Sequence, residues 1–172
     1  MKKLFNILFS ALALTALVSC EKEPAGGTAT QSMAGEWYCT VDAVDAEGNI
    51  IYEDPYGVGV FTIWTYNTNS NSPNLMYVDD QGTFWDFRVI VDINQGNRTF
   101  WSKGTEDDYW GINVEVLNGK ISYGDVVSPA GYVTDGISFL VRFEDDEDAD
   151  SGEWDYLWIH GWRMTGLAGG TD

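Results

Sequence analysis

The stretch "TFWDFRVIVDI" (residues 83–93) sets Trp85, Phe87, Val89, Val91 and Ile93 on one parity, and Asp86, Arg88 and Asp92 on the other. A repeat of two is that of an extended strand with one dry and one wet face, because successive Cβ atoms point to opposite sides of a sheet. The same alternation recurs on both sides of it. "GEWYCTVDAV" (35–44) sets Trp37, Cys39, Val41 and Ala43 against Glu36, Thr40 and Asp42. "YWGINVEVL" (109–117) sets Trp110, Ile112, Val114 and Val116 against Asn113 and Glu115. "GISFLVRFE" (136–144) sets Ile137, Phe139, Val141 and Phe143 against Ser138, Arg142 and Glu144. "YGVGVFTIWTY" (56–66) is apolar on both parities, with Gly57 and Gly59 marking a bend. From Gly35 onward no segment keeps a helical period.

Turn-forming clusters separate these runs: "DDQG" (79–82), "NQGN" (94–97), "LNGK" (117–120) and the acidic run 144–153. The Asn-rich "YNTNSNSPN" (66–74) reads as a loop. The expected fold is all-β, an antiparallel up-and-down meander of eight or nine strands. Closing it into a barrel removes the exposed edges, and about eight strands leave an interior that side chains fill or that holds one small ligand.

The amino terminus, "MKKLFNILFSALALTALVSC", has two lysines, an apolar run from Leu4 to Val18, and a small residue before Cys20. These are the parts of a secretory signal, and the run is too short for a stable membrane span. "LVSC" (17–20) resembles the bacterial lipobox. That resemblance implies a lipoprotein signal over residues 1–19, with Cys20 lipidated at the head of the mature chain. Residues 20–34 then form a flexible tether, 35–167 one barrel domain and 168–172 a tail.

The net charge of −18 denies the chain an electrostatic footprint for nucleic acid. Anionic headgroups would repel it too, so the membrane partnership must come through the lipid on Cys20. Glu21 and Glu23 directly after that cysteine resemble surface-export signals of Bacteroidetes lipoproteins, so the expected location is the outer membrane, on its periplasmic or cell-surface side. Of the two cysteines, Cys39 alone remains beside Cys20, which excludes an intrachain disulfide and a cysteine-ligated zinc site.

"GEW" (Gly35, Glu36, Trp37) opens the first strand and Arg163 lies near the end of the last. This resembles the calycins, including the lipocalins. That resemblance implies an arginine packed across the tryptophan at the closed base, a cation–π contact of roughly 0.5–2 kcal/mol. With the lipobox, Tyr66–Thr68, "FWDF" (84–87) and Gly161–Gly166, the layout is similar to a Bacteroidetes lipoprotein family of lipid-binding putative hydrolases with a calycin-like barrel. Gly35, Trp37 and Arg163 carry its structural signature.

The last strand, within "EWDYLWIHGWRMTG" (153–166), alternates Trp154, Tyr156, Trp158, His160, Trp162 and Met164 with Leu157, Ile159, Gly161, Arg163 and Thr165. If Arg163 points inward by plain alternation, the aromatic stripe points outward. A bulge at Gly161 would let both face in, and the expectation leans to an inward stripe. Trp64, Tyr66, Trp85, Trp110, Trp158, His160 and Trp162 are then the candidate walls for a small apolar or lipid-like ligand. The alternative is a glycan-binding accessory module with its aromatics facing out.

Catalysis has thinner support. His160 is the single histidine, and no G-x-S-x-G stretch supplies a nucleophile. Cys39 and His160 are the weak candidates for a pair, because the first and last strands become neighbours on closure. A buried thiol and a hydrogen-bonded imidazole are the plainer reading, and "hydrolase" is implied by the family label alone. Asp146, Asp148 and Asp150 resemble the first half of a calcium loop. The glycine falls one place late and Leu157 stands where the bidentate acid belongs, so weak Ca²⁺ binding is the most they suggest, and no cofactor is expected.

Overall fold

A computed structural model describes residues 26–166. The signal segment 1–19, Cys20 and the tail 168–172 lie outside the described residues. Nine strands form: β1 (Gly35–Val44), β2 (Ile50–Glu53), β3 (Phe61–Asn67), β4 (Leu75–Asp79), β5 (Arg88–Asn94), β6 (Thr99–Glu106), β7 (Asn113–Val127), β8 (Val133–Phe143) and β9 (Tyr156–Arg163). A short helix, α1 (Glu147–Ser151), sits in the β8–β9 connection.

Neighbouring strands run antiparallel in the order β2-β1-β3-β4-β5-β6-β7-β8-β9, and β1 also pairs with β9, which closes the barrel. β2 and β3 flank the same edge of β1. Glu53 pairs with Asp42 near the far end of β1, whereas Phe61 to Thr65 pair with Cys39 to Gly35. They are two halves of one lane interrupted by an excursion at 54–60. The fold is therefore an eight-lane up-and-down barrel with one appended strand, as the alternation predicts.

The dry parity faces in. Trp37, Cys39, Val41, Ile63, Met76, Val78, Val89, Val91, Val114, Val116, Val141, Leu157 and Ile159 have no exposed surface, and Phe100 and Phe139 are nearly as buried. Side chains this large fill a barrel of this girth.

At the base, Arg163 lies over the Trp37 ring at 5.0 Å, and its guanidinium donates to the Ala34 carbonyl and to Asp135. The Trp37 indole donates to Thr65 Oγ1 at 3.0 Å, which donates in turn to the Met33 carbonyl at 2.7 Å. A Cβ on Gly35 would lie 2.7 Å from Arg163 Nη2 and 2.9 Å from the Trp37 ring, so this G-x-W needs its glycine. Residues 26–34 are not free tether. Thr30 and Met33 are buried, Ala29 N–H donates to Asn71, and Gln95 donates to the Ala29 carbonyl.

At the opposite end Trp85, Trp110 and Trp154, which alternation sets on strands, lie outside them. β5 begins at Arg88, and residues 80–87 wrap around the buried Asp80 carboxylate. That carboxylate accepts the N–H groups of Gly82, Phe84, Trp85, Asp86 and Phe87 at 2.7–3.0 Å. Trp85 then stacks on Phe143 at 4.6 Å, and Phe84 on Phe61 at 4.8 Å, which plugs this mouth with rings. Asp107 organises the next loop by accepting from Tyr109, Trp110 and Gly111 at 2.9 Å. Desolvation pushes its carboxyl up, but the backbone N–H groups outweigh that and hold it below the usual carboxylate range.

Candidate functional site

β9 pairs with β1 and β8 in a register that decides the stripe. Trp37 is opposite Arg163, Thr40 opposite His160, and Asp42 opposite Trp158. On the other side Gly136 is opposite Trp162, Ser138 opposite His160 and Leu140 opposite Trp158. Leu157 and Ile159 point into the core with Arg163 beneath them, so Trp158, His160 and Trp162 stand on the outer wall. The expected inward stripe is wrong. β9 carries no bulge in its pairing with either neighbour, and Gly161 keeps its place in the alternation, so the parity of Arg163 governs.

The same register separates the catalytic candidates. Cys39 is fully buried on the inner face, opposite Gly161, and burial pushes its thiol far above the usual cysteine range. His160 is outside. It meets Asp42 Oδ2 at 2.9 Å and Thr40 Oγ1 at 3.4 Å, and both contacts fall on Nε2. A relay would need the acid and the hydroxyl on different ring nitrogens. Cys39 and His160 cannot form a pair, because the sheet lies between them. His160 also stacks on Trp158 at 4.0 Å and 25°.

The acidic run forms no calcium loop. Asp146 caps α1, accepting from Asp148 and Ala149 N–H, and its carboxylate also takes the Tyr56 hydroxyl and the Trp154 indole. Asp150 pairs with Arg142 at 3.1 Å. The carboxylates of Asp146 and Asp150 are turned to protein donors, and no group of three or more metal-ligating side chains converges among the described residues.

What the register builds is a groove on the outer wall. β7 shifts register between Ser122 and Val126, where residues 123–125 stand opposite the single residue Asp135, and the Val126 side chain lies against Gly136 of β8. The result is a hollow of about 380 Å³ walled by Trp158, His160 and Trp162 on one side and Ser122 and Val126 on the other. Gly136 and Ser138 line it between these walls, while Lys120 and Asp125 bring opposite charges to it. Lys120, Ser122, Val126 and Gly136 were not among the sequence candidates. Strand alternation identifies faces, but only register and bulges show which neighbouring lanes share one.

The remaining candidates scatter. Trp64 and Tyr66 line a separate hollow of about 530 Å³ with Glu36, Gln81 and no basic residue. The Tyr66 hydroxyl donates to the buried Asp79 at 2.5 Å, and burial first, then that acid, push its pKa up. Trp85 belongs to the aromatic plug, with its indole on Asp145 at 2.9 Å. Trp110 is 68% exposed and donates to Asp86.

The class the fold defines is a closed eight-lane antiparallel barrel with one appended strand and an arginine laid over its G-x-W tryptophan. The chain belongs to the family described as "lipid-binding putative hydrolase", whose model matches residues 22–168. No curated protein matches the sequence.

Proposed function

We propose that this chain is a lipid-anchored lipoprotein of the outer membrane that binds a small amphiphilic, lipid-like ligand in the groove between the β9 aromatics and the β7–β8 hairpin. The observation that carries this reading is the union, in one hollow, of an apolar wall with two side chains of opposite charge, of which Lys120 also donates to the Asn97 carbonyl at 2.7 Å. Trp158, Trp162 and Val126 offer surface to a tail, while Lys120 and Asp125 offer partners to a polar or zwitterionic head. The barrel interior, by contrast, is filled. The family's lipid-binding description supports the ligand class, and the lipobox at Leu17–Cys20 supports the anchor.

A glycan-binding role is the second reading, favoured by the outward stripe. Against it, Trp158 and His160 stack on each other, so they share a face that a sugar platform would leave open.

Native mass spectrometry of the gently purified chain, before and after solvent extraction, tests the proposal. A co-purifying amphiphile that extraction removes, and that is lost in Trp158→Ala and Trp162→Ala, is the expected result. An apo mass in both samples, with glycan-array binding abolished by the same substitutions, would replace it with the second reading.

A further inference from the structure

The β7–β8 hairpin runs past the barrel's base. Its tip, "VVSPAGYVT" (126–134), carries no charge in a chain with 27 acidic residues. Val127 and Val133 face each other across the hairpin and are 65% and 69% exposed, and Tyr132 is 46% exposed. Three large apolar side chains held out on one turn are costly to hydrate and need a reason.

Three of the turn's backbone N–H groups are bonded within the turn. Ser128 N–H donates to the Tyr132 carbonyl at 2.9 Å, Gly131 N–H to the Ser128 carbonyl at 2.8 Å, and Tyr132 N–H to Ser128 Oγ at 3.2 Å. Pro129 has no N–H to satisfy. The three bonded donors would lose no water at the headgroup layer, which lowers the cost of seating irregular backbone there.

The tip also lies at the end from which the chain departs towards Cys20. Gly136 at the start of β8 pairs with Trp162 at the end of β9, and Tyr38 near the start of β1 pairs with the same Trp162. Tyr123, at the root of the hairpin, donates its hydroxyl to the Ser32 carbonyl in the segment leading into β1. From Gly26 to Cys20 is a span of six peptide units, which reach about 20 Å at most. A lipid on Cys20 thus holds this end of the barrel near the bilayer.

We propose that the β7–β8 hairpin tip is a second membrane contact, with Val127, Tyr132 and Val133 seated in the interfacial layer of the bilayer that Cys20 anchors. This inference rests on the lipoprotein reading above. One acyl attachment is strengthened by a second, independent signal. In so acidic a chain that signal cannot be a basic patch, and an uncharged apolar turn serves instead. Tyrosine is favoured at headgroup depth, and the two valines beside it add uncharged apolar surface. Of the other exposed apolar side chains, Ile50, Ile51 and Tyr52 of β2 and Trp110 of the β6–β7 loop lie at the opposite end.

The test uses the full processed chain in phosphatidylcholine vesicles, with an environment-sensitive dye on Val133→Cys or, as the far-end control, on Glu47→Cys. Cys39 is fully buried and does not compete for the label. Flotation with the vesicles, together with a blue shift and a several-fold intensity gain at position 133 and none at 47, is the expected result. Flotation with both dyes in water would overturn the hairpin contact while leaving the anchor intact, and so would a dye at 47 that enters lipid. A chain that fails to float would overturn the anchor itself, and the contact with it.

Discussion

A Cβ on Gly161 would lie 2.0 Å from the Tyr38 carbonyl oxygen and 2.7 Å from Cys39 Cα, so the glycine inside "WIHGW" marks a backbone approach that no side chain survives. Its neighbours are backbone, not flexible side-chain tips, and the strands cannot part without opening the barrel seam. Gly161→Ala is expected to cost about 3 kcal/mol or more, or to abolish folding, measured as the midpoint of urea denaturation. Arg163→Ala removes the cover from Trp37, the donor to the Ala34 carbonyl and the partner of Asp135 together. A loss of about 2 kcal/mol is expected, with Arg163→Lys recovering only part of it because an ammonium cannot stack and fork at once. At this scale the sequence was legible where one residue has one job. The G-x-W glycine, Trp37 and Arg163 meet as their resemblance implied, and Cys39 is the buried thiol of the plainer reading. His160 was less legible, because its neighbours Asp42 and Thr40 come from a strand more than a hundred residues away.

Strand alternation carried most of the element-level reading, and it failed where a carboxylate reorganises the backbone. "TFWDFRVIVDI" keeps its parity through Trp85 and Phe87, yet its first half is a loop because Asp80 collects five N–H groups. Nothing in a period of two announces that a preceding aspartate will outcompete a neighbouring strand for those donors. Asp80→Asn, which offers one oxygen in place of two, is expected to cost about 3 kcal/mol and to release Trp85 from Phe143, read as a red shift of tryptophan emission. Asp107 predicts a pH dependence for the neighbouring loop. Its carboxyl is depressed in the folded chain, so its contribution is present above the unfolded carboxylate range, about 3.9, and is lost as pH falls through the lower folded value. Stability measured from pH 5 downward should therefore fall more steeply in the parent than in Asp107→Asn, and equal slopes would remove Asp107 as a cause.

For the whole molecule, composition and period pointed to a closed antiparallel barrel, and the register confirms one. The location of the groove was hidden for a physical reason: a barrel's inside and outside are both reached by alternation, and the stripe's parity had to be settled by Arg163. Once it is settled, the aromatic wall, the bulged β7 and the apolar hairpin tip lie along one side of the barrel, running from the groove to the base. A lipid-like ligand could then enter the groove without unpacking the core. The central claim is that this ligand binds on the outer wall and not inside. The chain's eight tryptophans allow a direct answer through their indole N–H resonances. Titration with a short-chain lysophosphatidylcholine below its micellar concentration should shift the Trp158 and Trp162 indoles and leave Trp37, buried at the base on Thr65, unmoved. A shift of Trp37 with Trp158 and Trp162 silent would place the ligand inside the barrel and contradict the account.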